Sequence, residues 1–167
     1  MEKTYRVLLV DDEVNVLNAL ARSLRKEPYE VMIAGSAMEG LNKLYTTRVD
    51  LIISDYKMPV HDGVEFLKRV AADYPDTIRI ILTGHADMEA AIAAINEGGV
   101  YRFLTKPWDD QDLRITIRLA LEHLKLQREN RALSAEVHKQ KQILKDLETE
   151  HPGIGSVEKD EKGTILI

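Results

Sequence analysis

Four short runs of almost unbroken aliphatic and β-branched residues punctuate the chain: Tyr5–Val10, Leu51–Ser54, Ile78–Leu82 and Val100–Thr105. A strand with one face in water alternates apolar and polar residues. Runs without alternation need cover on both faces, which is the condition of a parallel sheet packed between helices. A fifth run, Glu30–Ala34, is more mixed and reads as a weaker strand. Helical periods fill the intervals, with Val16, Leu17, Leu20, Ala21 and Leu24 on one face of the first helix. Ser36 with Glu39, and Asp62 with Glu65, have the spacing of an N-cap and the third helical residue. Asp87 is placed to cap a helix carrying Ala91, Ile92 and Ile95, which Gly98 and Gly99 close. Five βα units in this order predict an α/β doubly wound sheet.

The 167 residues suffice for one domain of about 100–150 residues and an appendage. A net charge of −5 argues against nucleic acid as a direct partner, because phosphate backbones attract basic faces. With no cysteine, the chain has neither disulfides nor thiolate metal sites. The opening segment offers only the six-residue, largely apolar run Tyr5–Val10 before two acids, too short for a secretion signal or a membrane span. A cytoplasmic protein without membrane contact is expected.

From Asp109 the composition changes. No Gly or Pro occurs between Trp108 and Pro152, and Leu, Glu, Lys, Arg and Gln dominate. A helix of about forty residues would run about 60 Å, longer than the edge of a small domain. Leu113, Ile117, Ala120 and Leu124 are spaced to face the domain. A second seam follows with a seven-residue step: Leu119, Leu126, Leu133, Gln140 and Leu147 at d, and His123, Asn130, Val137 and Leu144 at a. This predicts a coiled coil, with Asn130 setting register in a parallel pair and Gln140 and His123 weakening the seam. Glu136 at g is placed to reach Lys141 at e of a second chain.

Ligands of open α/β sheets bind beyond the carboxyl ends of the strands, where strand order reverses. Here the first strand runs into Asp11-Asp12, the third into Asp55, the fourth into Thr83-Gly84 and the fifth into Lys106-Pro107. Three carboxylates at adjacent strand ends repel one another unless a cation lies between them. Oxygen-only ligands with open positions suit Mg²⁺, which keeps waters and takes phosphate oxygens. A hydroxyl, a backbone N–H and the Lys106 ammonium would then surround a phosphoryl group.

The set Asp11-Asp12, Asp55-x-x-Met58-Pro59-x-x-Asp62-Gly63, Thr83-Gly84 and Lys106-Pro107 resembles the receiver domains of two-component response regulators, over about residues 4–124. The resemblance implies a flavodoxin-like five-stranded sheet of order 2-1-3-4-5. It implies that Asp55 accepts a phosphoryl group from a sensor histidine kinase or phosphotransfer protein, and that Asp12 and Asp55 bind Mg²⁺ (or Mn²⁺) directly, Asp11 through water and Lys57 through its carbonyl. Thr83, Gly84 and Lys106 would hold the phosphoryl group, Phe103 would turn inward as Thr83 moves, and the Lys106–Pro107 bond would be cis. Lys57 and His85 would tune phosphoryl lifetime; neither suits aligning water, so self-hydrolysis should be slow. Trp108 and Tyr101 flank the fifth strand as a candidate contact surface, with core packing the expected role of Tyr101.

The domain limits expected are a receiver over 1–124 whose last helix starts near 109, a coiled-coil extension over 125–150 that forms a homodimer, and a tail over 151–167. The tail reads as a β-hairpin around Asp160–Gly163 or as the first strands of a further domain. No enzymatic action on an outside substrate is expected beyond self-phosphorylation and self-dephosphorylation. A phosphohydrolase of the haloacid dehalogenase type would place Asp-x-Asp after the first strand, where this chain has adjacent Asp11-Asp12. An inert scaffold of the same fold has no need of Asp55, Thr83 and Lys106 together.

Overall fold

The computed structural model describes residues 4–60, 62–97 and 99–153. Its strands are β1 (Tyr5–Val10), β2 (Tyr29–Ala34), β3 (Leu51–Asp55), β4 (Ile78–Gly84) and β5 (Arg102–Lys106). All pair in parallel in the order β2-β1-β3-β4-β5, a flavodoxin-like sheet. Between them run α1 (Val14–Ser23), α2 (Ala37–Thr46), α3 (Gly63–Asp73) and α4 (Met88–Asn96), and α5 (Asp110–Glu150) follows β5. A 3-10 turn, His85–Asp87, leads into α4.

Strand alternation sorts the core into two layers. Val7, Leu9, Leu51, Ile53, Ile80 and Leu82 pack with Leu17, Leu20 and Leu24 from the α1 region and with Leu113, Ile117, Ala120 and Leu124 of α5. Leu8, Val10, Ile52 and Ile81 pack on the other face with Ala37 and Leu44 of α2, Phe66, Leu67 and Val70 of α3, and Ala91 and Ala94 of α4. The apolar faces read for α1 and the first part of α5 are the buried ones. Because the chain passes from β2, on one side of β1, to β3 on the other, strand order reverses between β1 and β3, and a crevice opens there.

The helix starts differ in their chemistry. Ser36 Oγ accepts the Glu39 N–H at 3.1 Å, and Glu39 accepts the Gly35 N–H at 2.8 Å, so α2 begins in a near-reciprocal cap. Asp62 caps α3 through the Val64 N–H at 2.9 Å, one residue earlier than its spacing to Glu65 implied, because the short carboxylate closes the tighter loop. Asp87 does not cap α4: its carboxylate pairs with Lys57 Nζ at 2.9 Å instead. Gly98, expected to help close α4, and the expected hairpin beyond Gly153 lie outside the described residues.

By its internal contacts the chain divides into residues 1–125 and residues 126–167. Within the first unit α5 buries Leu113, Thr116, Ile117, Ala120, Leu121 and Leu124, while Leu119 stays half exposed. Within the second, Leu126, Leu133, Val137, Ile143, Leu144 and Leu147 are exposed. Among the described residues no helix is long and apolar enough to cross a membrane.

This difference in burial generates a test. Leu113→Ala should destabilise the first unit by about 2–5 kcal/mol, the range for a fully buried leucine. Leu133→Ala should leave that unit's unfolding unchanged, since Leu133 is 67 % exposed. Denaturant titration followed by fluorescence of Trp108, the single tryptophan, which packs on the core, reads both.

Candidate functional site

The register of the sheet brings the acids together. Val10 lies opposite Ser54, so Asp11 and Asp55 follow a matched pair on neighbouring strands. Asp55 in turn lies opposite Leu82, and Gly84 lies opposite Lys106. Asp11 and Asp55 are buried, whereas Asp12 is exposed. One carboxylate oxygen from each of the three falls within 4.8 Å of the others. Lys106 Nζ donates to Asp11 Oδ2 at 2.9 Å and lies 3.0 Å from Asp55 Oδ1. The second oxygen of Asp11 accepts the Glu13 N–H at 2.8 Å.

Burial pushes the Asp55 carboxyl above its ordinary value; the Lys106 hydrogen bond pulls it back, and the neighbouring Asp11 and Asp12 charges add to the rise. Burial also works against the Lys106 charge, but its bonds to Asp11 and Asp55 outweigh this and raise its pKa. With all three acids ionised, one ammonium leaves an excess of two negative charges. A hard divalent cation fits that deficit, since every donor is oxygen and one of the three aspartates is open to water. The donor set therefore suits Mg²⁺.

The other expected residues surround this pocket in unequal ways. Thr83 is fully buried, and its hydroxyl donates to the Gly84 carbonyl at 3.2 Å. Gly84 has open space where a Cβ would stand. His85 is exposed, and Phe103 is half-buried against the core layer shared by α2, α3 and α4. The Lys106–Pro107 peptide bond is cis. Lys57 carries its ammonium to Asp87, and that hydrogen bond raises the lysine's pKa. Tyr101, expected in the core, is 36 % exposed and stacks on His123, ring centres 5.4 Å apart and planes inclined by 29°. Trp108 packs against the core while its Nε1 donates to Asp110 at 3.2 Å and to Ser23 at 3.4 Å. A cavity of about 620 Å³ beside the end of α1, lined by Arg22, Arg25, Lys26, Trp108 and Arg114 among others, contains none of the three aspartates.

Two backbone features of the loop after Asp55 were not legible as such in the sequence. A Cβ built on Gly63 would overlap the carbonyl oxygen of Asp55, so only glycine fits there. In the sequence Asp62-Gly63 reads as a cap and a helix start; that the strand's last carbonyl fills the side-chain space is a property of the folded crossover. Val60 has a φ of 70°, a left-handed conformation that a β-branched residue resists, and it is 94 % exposed.

Comparison with known proteins decides the family. The response regulator receiver domain matches residues 7–118. The chain belongs to that family. The hydrogenase transcriptional regulatory protein HoxA of Bradyrhizobium diazoefficiens is 40 % identical over 131 residues, 78 % of this chain and 27 % of that protein. The transcriptional regulatory protein GlrR of Escherichia coli K12 is 41 % identical over 120 residues, 72 % of this chain and 27 % of that one. The chain thus spans little more than a quarter of either regulator. A crystal structure of the signal receiver domain of an HD domain-containing protein from Pseudomonas fluorescens superposes with a TM-score of 0.72 at 42 % identity, covering 77 % of this chain and 95 % of that one. Receiver domains are phosphorylated by histidine kinases and bind Mg²⁺ at an acidic pocket, and the Asp11, Asp12 and Asp55 cluster is such a pocket.

Two outcomes follow from this geometry. Gly63→Ala should cost about 3 kcal/mol or more, since backbone and not a pliable side chain must give way; chemical denaturation measures it. In metal-free protein the raised Asp55 pKa means that the native state keeps a proton the unfolded chain has already released. Stability should therefore fall as pH rises from the ordinary carboxylate value through the folded one, and Asp55→Asn should lack this component. Melting curves of parent and variant that run parallel with pH would contradict it.

Proposed function

We propose that the chain is a phosphorylation-controlled switch in which Asp55 takes a phosphoryl group from phosphohistidine on a sensor kinase or phosphotransfer protein. The observation that carries this reading is Lys106 Nζ held between Asp11 and Asp55, with Asp12 completing a three-carboxylate pocket. An Asp55 oxygen attacks phosphorus; the new O–P bond forms as the P–N bond breaks, and the imidazole nitrogen leaves with the electron pair and takes a proton from water. Bound Mg²⁺, or Mn²⁺ in its place, supplies charge neutralisation to the transferring group. Asp12 and Asp55 would hold it directly and Asp11 through water, with the Lys57 carbonyl as a further ligand. The indirect role for Asp11 is supported by its two oxygens, each of which already accepts a hydrogen bond.

Lys106 then bridges Asp55 and the phosphoryl oxygens, while the Gly84 N–H and the Thr83 hydroxyl turn to the same group. Phe103 moves into the space that Thr83 leaves, carrying the change toward α4 and β5. Lys57 and His85 limit access of water, so that self-dephosphorylation is slow and the chain acts on no outside substrate. We assign residues 1–124 to the receiver, 125–150 to a dimerising coiled coil and 151–167 to a tail.

The coiled-coil assignment rests on the exposed Leu119, Leu126, Leu133, Val137, Leu144 and Leu147, with Asn130 in the same seam. Each leucine buried at d contributes about 1.5–3 kcal/mol, and Asn130 gives up part of that gain for a single register. Gln140, polar at a d position, donates to Glu136 of its own helix at 3.3 Å, which eases its burial.

Acetyl phosphate with Mg²⁺ should add one acid-labile phosphoryl group, seen by intact mass and absent from Asp55→Asn; equal labelling of that variant would remove the assignment. The parent should sediment as a dimer, and Leu126→Lys with Leu133→Lys as a folded monomer. A monomeric parent at high micromolar concentration, with and without beryllofluoride, would show that the seam serves another partner.

A further inference from the structure

Asp87 stands at the N-cap of α4 without capping it. Its φ of −109° and ψ of 9° belong to the end of the 3-10 turn and not to the extended region a capping residue adopts, and its side chain takes no amide of the helix. The two preceding helices do begin on capping side chains, Ser36 and Asp62. The Asp87 carboxylate is instead drawn to Lys57 Nζ at 2.9 Å. Lys57 lies two residues beyond Asp55 on the loop leaving β3, and Asp87 lies four beyond Thr83 on the turn leaving β4. The two strands are paired with Asp55 opposite Leu82, so the ion pair spans the loops on either side of the acceptor.

The pair is wet: the Lys57 side chain is 73 % exposed and that of Asp87 24 %. Exposed ion pairs hold weakly, so this one persists only while no stronger anion competes for the ammonium. A phosphoryl group on Asp55 is such a competitor. It brings up to about two negative charges and three acceptor oxygens to a point two residues from Lys57, within reach of a flexible four-carbon stem.

We propose that Lys57 exchanges Asp87 for the phosphoryl group when Asp55 is phosphorylated, and that the released Asp87 carboxylate turns back to cap α4. The inference rests on Asp55 as the acceptor and adds a second route from it to α4. That route runs over the surface by exchange of ion pairs, separate from the buried route through Thr83 and Phe103. In the exchanged state Asp87 accepts from the N–H of Glu89 or Ala90, where the helix dipole also favours its charge.

Amide hydrogen exchange at Glu89 and Ala90 in the full chain, with Mg²⁺ and with or without beryllofluoride, reads the cap directly. In the parent, beryllofluoride should slow exchange there about fivefold, the factor expected of one N-cap. Lys57→Met frees Asp87, and Asp87→Asn puts a good cap in place that forms no ion pair; both should show the slowed exchange before beryllofluoride is added. Asp87→Ala should never gain it. The exchange mechanism is overturned if Lys57→Met stays at the parent's resting rate, or if Asp87→Ala responds as the parent does. Intact mass after acetyl phosphate treatment separates loss of the acceptor from loss of the ion-pair exchange. A parent that takes up no phosphoryl group overturns the acceptor and the ion-pair exchange together, whereas a parent labelled on Asp55 with Glu89 and Ala90 unchanged overturns the exchange alone.

Discussion

Mutual repulsion among Asp11, Asp12 and Asp55 is the constraint around which the carboxyl end of this sheet is organised, and Lys106 is the group that offsets it. Two of the acids are buried, where a charge without a partner is costly. The ammonium meets both at 2.9 and 3.0 Å, and it can do so because β5 ends level with β4 at the Gly84–Lys106 pair. One cation among three anions leaves the pocket short of positive charge. Burial raises the Asp55 pKa first and the neighbouring Asp11 and Asp12 charges add to it; the deficit of positive charge also makes the site receptive to a divalent ion.

The alternation of side chains along parallel strands gives the pocket two sides. Asp55 continues the series Leu51, Ile53 and Lys106 continues Leu104, on the face covered by α1 and α5. Thr83 continues the series of Ile81, and Phe103 packs with it, on the face covered by α2, α3 and α4. Two sets of contacts therefore lie between the acid cluster and α4: the end of the sheet beside Thr83, and the loops joined by the Lys57–Asp87 ion pair.

The strands were legible because burial on both faces leaves few other patterns, and β1 runs from Tyr5 to Val10 as read. β3, β4 and β5 extend further, to Asp55, Gly84 and Lys106, since ladder bonds continue under polar side chains that an apolar pattern does not register. β5 begins at Arg102 although Val100 is buried, which shows that burial and pairing are separate conditions. β2 reads weakly because of its six residues only Ala34 is buried and the rest are intermediate or exposed. The acid cluster was legible for a related reason: strand ends converge in any doubly wound sheet, so residues there meet whatever the loops do. Contacts set by loops were not legible. Asp87 has the spacing of a cap, and only the fold reveals a lysine thirty residues earlier in the chain as the stronger partner. Tyr101 resembles a core aromatic beside a strand, yet its ring lies outward on His123 of α5.

Gly63 ties Asp55 to the helix that follows it. The Asp55 carbonyl occupies the space in which any other residue would begin its side chain, and the Gly63 N–H donates to the Tyr56 carbonyl at 3.1 Å. The end of β3 and the first turn of α3 are thus held against each other, so fraying of α3 should carry disorder to Asp55. An aspartate on a surface loop would wander among rotamers on its own timescale; this one inherits the persistence of a helix.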